Sequence, residues 1–137
     1  SLRMQRHSDN ALKIASWLEE QETVEAVTYA GLKSSPYFDR VKKVCPKGAG
    51  GLFTVALKGG YDSCVKFVNA LEIFSHVANL GDSRSLVIHT ASTTHRQLTV
   101  EQQIAAGSAP NVVRISIGIE DPEDLIADLK QALSAAK

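Results

Sequence analysis

The sequence predicts an α+β fold: a two-layer sandwich in which a small, mostly antiparallel sheet carries helices on one face. Three observations point there. Apolar residues recur at helical spacing near both ends of the chain. Short runs rich in β-branched residues lie between them. Helices and strands mix without the strict β–α–β alternation of a doubly wound parallel sheet. The 137 residues and 44% hydrophobic content suit one domain around one core.

Taken in order, residues 8–20 place Ala11, Ile14, Ala15 and Leu18 on one helical face, and the helix formers at 3–7 allow that helix to begin at the first residues. Val24–Tyr29 is short and β-branched, so a strand is expected. Ser35 and Pro36 read as N-cap and first helical position of a short helix ending at Val44. Cys45–Gly51 closes it, with glycines that suit turns at positive φ. Leu52–Leu57 shows little alternation, which predicts a strand covered on both faces. Gly59-Gly60 ends that strand, and a helix follows from about Asp62 to Leu71 with Cys64, Phe67, Val68 and Leu71 on one side. Ile73–Val77 is expected as a strand. Thr99 and Gln102 fit a capping box opening a helix that Gly107 stops. Val112–Ile117 is a strand. Asp121-Pro122-Glu123-Asp124 supplies an N-cap, a proline at the first helical position and acids against the helix dipole. Leu125, Ile126, Leu129, Leu133 and Ala136 form the buried stripe of that last helix.

Composition excludes some partners. Fifteen basic and fifteen acidic residues cancel, whereas a nucleic-acid or membrane-surface binder needs a basic excess. No apolar run approaches the ~20 residues that cross a bilayer. Cys45 and Cys64 form no CxxC pattern, which favours free thiols in a reducing, cytoplasmic setting. The opening Ser1-Leu2-Arg3-Met4 reads as mid-helix sequence, so the expectation is a piece of a longer protein.

The segment Asn79–Leu98 is the densest polar stretch, yet Leu86, Val87 and Ile88 lie at its centre. Arg114 sits inside the apolar strand Val112–Ile117. A guanidinium there can grip a carboxylate bidentately, and the two pieces are expected to form one anion-reading corner. The alternatives are an outward-facing surface arginine or a structural ion pair. His76, His89 and His95 flank the segment without metal-ligand spacing, and each is expected to be a hydrogen-bonded structural residue. No metal site follows, and no GxSxG elbow supports a hydrolytic triad. Gly48, Gly50 and Gly51 lack the GxxxxGK[ST] pattern of a phosphate loop.

A family resemblance enters at these residues. Leu80-Gly81-Asp82-Ser83-Arg84-Ser85-Leu86-Val87-Ile88-His89, Ala91-Ser92-Thr93-Thr94-His95 and Val113-Arg114-Ile115-Ser116-Ile117-Gly118-Ile119-Glu120-Asp121 resemble the C-terminal domain of the Cys/Met-metabolism pyridoxal-phosphate enzymes. Lys47–Gly51, His95–Leu98 and Glu120–Leu125 are most similar to the O-acetylhomoserine sulfhydrylases among them. The resemblance implies a small substrate-binding domain, residues 1–137. A separate large domain would hold pyridoxal 5'-phosphate through a Schiff-base lysine. It implies that Arg114 grips the substrate α-carboxylate and that Ser85 serves the same site, largely through its backbone. No catalytic, cofactor-binding or metal-binding residue is assigned to this chain. The parent enzyme would be a homo-oligomeric transferase acting on a small amino acid. The chain departs from the family where proline usually follows the histidine; Thr90 stands there and relaxes the φ that proline would set. Two alternatives stay open: a cystathionine synthase or methionine γ-lyase of the same family, and a stand-alone amino-acid-binding regulatory module.

Overall fold

The computed structural model describes residues 1–137. Its helices are α1 (Leu2–Glu19), α2 (Phe38–Val44), α3 (Gly60–Ala70), α4 (Val100–Ala105) and α5 (Pro122–Ala135). Its strands are β1 (Val24–Thr28), β2 (Leu52–Leu57), β3 (Ser75–His76), β4 (Leu86–Ile88) and β5 (Val112–Ser116). The strands form one sheet in the order β1-β2-β5-β4-β3. Every pairing is antiparallel except β3 with β4. This is the expected α+β arrangement.

The core lies between one sheet face and the long helices. Phe53, Val55 and Leu57 of β2, Val87 of β4, and Val113 and Ile115 of β5 point into it with Ile117. Ala11, Ile14, Ala15 and Leu18 of α1 meet them, with Cys64, Phe67 and Val68 of α3 and Leu125, Leu129, Ala132 and Leu133 of α5. Strand geometry then sends Leu52, Thr54, Ala56, Val112, Arg114 and Ser116 to the opposite face. Leu86 and Ile88 also face that way. They are buried outside the main core, beside the 3-10 turn Thr90–Ser92.

Several features differ from the sequence expectation, among them α3, which starts at Gly60 rather than near Asp62. The second helix starts at Phe38 rather than Pro36. Ser35 does act as a local cap, but its hydroxyl accepts the Tyr37 N–H in a turn, and Pro36 belongs to that turn. Strand β2 is covered on one face, not two: its residues alternate in burial and Leu52 is exposed. Its long apolar run reflects residue type, while only the helix layer supplies cover. The strand expected over Ile73–Val77 shrinks to Ser75–His76. The N–H groups of Glu72 and Ile73 are taken by the Asp128 carboxylate of α5 instead of by a ladder. The stripe of α5 also includes Asp128 and Ala132, while Ile126 is only half-buried.

The caps of α4 and α5 form as read. Thr99 and Gln102 complete the reciprocal capping box of α4, and Asp121 accepts the Glu123 N–H ahead of Pro122 in α5. Gly48 and Gly50 adopt φ of 136° and 80° before β2, conformations a side chain would disfavour. Cys45 is exposed and Cys64 buried, and both are free thiols. Desolvation pushes the Cys64 thiol up to about 12.

Candidate functional site

Strand β5 carries Arg114 at the middle of the sheet, paired with Thr54 of β2 on one side and Ile88 of β4 on the other. Because Val113 and Ile115 enter the core, Arg114 faces away from the helices. Its side chain is half-buried. No carboxylate lies within ion-pairing distance: the ion pairs are Lys13–Glu123 and the looser Arg84–Asp82 at 3.9 Å. The guanidinium makes one long hydrogen bond, Nη2–H to the Asn79 carbonyl at 3.5 Å. A guanidinium carries five N–H donors, so most of its capacity remains open toward this face. Of the three readings of Arg114 from sequence, the structural ion pair does not occur.

Ser85 immediately precedes β4 and is fully buried. Since Ile88 faces Arg114, Ser85 lies three residues further along, about 10 Å down the strand. The two residues lie on neighbouring stretches, Ser85 just before β4 and Arg114 within β5, and do not touch. The Ser85 backbone N–H, the donor that the resemblance links to the substrate carboxylate, is held by Glu120 Oε1 at 2.6 Å. Its hydroxyl donates to Glu120 Oε2 at 2.9 Å and accepts the Gly118 N–H at 2.9 Å.

The loop 79–85 rides along β5 and its continuation. Arg114 meets the Asn79 carbonyl, the Gly81 N–H donates to Ser116 Oγ at 3.1 Å, and the Ile119 N–H donates to the Ser83 carbonyl at 2.9 Å. Within the loop, Asp82 accepts the Arg84 N–H at 3.0 Å, which draws its carboxyl below the usual range, with the Arg84 charge adding to the effect. A cleft of about 110 Å³ opens beside this loop, bordered by Met4, His7, Leu52, Leu80 and Ser116.

The histidines divide. His89 is buried, with Nε2–H donating to the Pro110 carbonyl at 2.8 Å and Nδ1 at 2.9 Å from the Ser92 hydroxyl. Tyr61 stacks edge-on against it at 4.9 Å. His95 Nδ1 lies 2.9 Å from the Thr94 hydroxyl, while His76 is exposed. Thr90 begins the turn after His89, and its carbonyl accepts the N–H groups of Thr93 and His95. No group of three metal-ligating side chains converges. Sequence reading passed over His7, although it is buried at the cleft. Its Nδ1–H donates to the Ile117 carbonyl at 2.6 Å and its Nε2 has no partner. Glu120 was visible only as part of a motif; an acid shortly after a strand has no sequence signal for the peptide it will bind.

A pyridoxal-phosphate site needs a lysine in a sheltered pocket and a cradle for the phosphate. Every lysine of this chain is exposed. Lys42 lies over the Phe38 ring at 4.5 Å and Lys13 pairs with Glu123. The residues present do not fit that cofactor.

Comparison with known proteins agrees with this architecture. A crystal structure of a Campylobacter jejuni protein, provisionally named an O-acetylhomoserine (thiol)-lyase and containing N'-pyridoxyl-lysine-5'-monophosphate, superposes with a TM-score of 0.90 at 41% identity. It does so over 97% of this chain and 32% of that one. O-acetyl-L-homoserine sulfhydrylase 1 of Thermus thermophilus is 48% identical over 98% of this chain and 32% of its own length. An L-methionine gamma-lyase of Pseudomonas putida is 41% identical over 99% of this chain and 34% of its own. The chain thus spans about a third of the length of the curated relatives it matches. Residues 1–134 match the family described as Cys/Met metabolism PLP-dependent enzyme, and the chain belongs to that family.

Proposed function

We propose that this chain is the substrate-binding part of a pyridoxal-phosphate-dependent O-acetylhomoserine sulfhydrylase, a transferase that replaces acetate by sulfide or a thiol. Arg114 carries the reading. It is a half-buried guanidinium on the sheet face away from α1, α3 and α5, with no carboxylate partner and one long hydrogen bond. Bidentate capture of the substrate α-carboxylate would satisfy both its charge and its donors. Holding that end fixes the orientation of the reacting carbon. Ser85 serves the same site, its peptide anchoring the loop whose Asn79 carbonyl meets the guanidinium. The cofactor and its lysine belong to polypeptide outside residues 1–137, in a separate large domain, and the whole enzyme is a cytoplasmic homo-oligomer supplying homocysteine. Sulfhydrylases of Thermus thermophilus and Leptospira meyeri, at 48% and 46% identity, support this choice of reaction.

A second reading, a methionine γ-lyase, is favoured by relatives of that name at 40% and 41% identity. Assay of the full-length enzyme with O-acetylhomoserine and sulfide, against methionine alone, separates the two. A full-length protein inactive in both assays that still binds amino acids would favour the regulatory module instead. In the active enzyme, Arg114→Ala is expected to raise KM for the amino-acid substrate, by roughly 2–5 kcal/mol of lost binding as the carboxylate goes unpaired. An unchanged KM removes Arg114 from the site.

A further inference from the structure

The contacts between the loop 79–85 and β5 form a register. Residue 79 meets 114, 81 meets 116, 83 meets 119, and 85 meets both 118 and 120. The end at Arg114 is the weakest, a single bond at 3.5 Å. The other end is the tightest. There Glu120 accepts both the N–H and the hydroxyl of Ser85, at 2.6 and 2.9 Å. Charge-assisted bonds of that length are strong. No cation lies within ion-pairing distance of Glu120, so its carboxylate is directed wholly to this peptide.

Glu120 is itself fixed. Its carbonyl accepts from Asn10 Nδ2 at 2.9 Å and from Arg6 Nη2 at 3.3 Å, which ties it to α1. Gly118 allows the loop to come this close: a Cβ there would collide with the Ser83 carbonyl oxygen and lie 2.6 Å from the Arg84 carbonyl carbon. The loop is therefore pinned at Ser85 and reaches the guanidinium at Asn79.

We propose that Glu120 is a positioning residue that sets the aim of Arg114 through the loop 79–85. The inference rests on the reading of Arg114 as the carboxylate grip. Losing the Glu120 contacts removes the tightest bonds of this register and loosens the loop, although 81–116 and 83–119 remain, and the Asn79 carbonyl then holds Nη2 less firmly. The substrate carboxylate meets a mobile cation, and its binding weakens more than the chemical step does.

The test uses the full-length, cofactor-loaded enzyme with Glu120→Ala, Glu120→Gln, Arg114→Ala and the Glu120→Ala/Arg114→Ala double variant. Three quantities are read: KM and kcat for the amino-acid substrate, and the inhibition ratio of 2-aminopentanoate to 1-aminobutane, which differ only in the carboxylate. Glu120→Ala is expected to raise KM and cut the carboxylate preference about tenfold, the scale of changes relayed through packed networks, with kcat little altered. Glu120→Gln keeps one oxygen for the Ser85 N–H and falls between. The double variant matches Arg114→Ala, because both changes act on one group. Wild-type carboxylate preference in Glu120→Ala, or in folded Glu120→Gln if the alanine variant does not fold, overturns the inference when Arg114→Ala has lost it. So does a Glu120→Ala loss in kcat alone. Retention of the preference by Arg114→Ala refutes the Arg114 reading itself, and the inference with it.

Discussion

At His89 the imidazole is almost completely enclosed, and burial lowers its pKa from 6.5. The bond to the Pro110 carbonyl partly opposes this shift, and the nearby His76 reinforces it. The neutral ring therefore belongs to the folded state, and the unfolded chain takes up the proton first as pH falls. Stability from this group is complete above the unfolded value of 6.5 and is lost as pH drops through the folded value. Urea midpoints across this range are expected to fall in the wild type and to fall less in His89→Gln. Parallel slopes for the two proteins would show that His89 does not contribute. Its structural role was legible because no metal-ligand spacing surrounds it. The orphaned Nε2 of His7 was not, because only folding brings Ile117 to the other ring nitrogen.

Among the elements, α5 shows how a side chain can end a strand elsewhere. Asp128 is buried, and its carboxylate accepts the N–H groups of Glu72 and Ile73, at 3.0 and 2.8 Å, and Gln131 Nε2 at 2.9 Å. The β-branched run at 73–77 loses its first ladder donors to this clasp. Asp128→Ala is expected to cost roughly 1–3 kcal/mol in urea denaturation, the scale of hydrogen bonds to a charged acceptor. Asp128→Asn keeps one acceptor oxygen and is expected to lose less. An unchanged midpoint in the alanine variant would mean that water replaces the carboxylate at no cost. The caps of α4 and α5 were readable because an N-cap acts within three residues. The start of α2 was not: Ser35 and Pro36 suit a turn as well as a helix, and local chemistry does not choose between them.

For the whole molecule, the exposure of every lysine yields a simple expectation. Residues 1–137 incubated with pyridoxal phosphate and then borohydride should give no stoichiometric adduct at one lysine by mass spectrometry. A single fully labelled lysine would overturn the assignment of the cofactor to polypeptide outside this chain. The sequence by itself determined the α+β class, the main helices and strands, their caps and the apolar faces. These depend on period, propensity and contacts a few residues apart. It also singled out Arg114, because a cation in an apolar strand is conspicuous wherever the strand lies. Only the tertiary structure decided which face of the sheet Arg114 looks out from, that no carboxylate neutralises it, and that Glu120 holds Ser85 across a separation of 35 residues. Strand order and long-range hydrogen bonds arise from packing the whole chain around one core, and no local pattern encodes them.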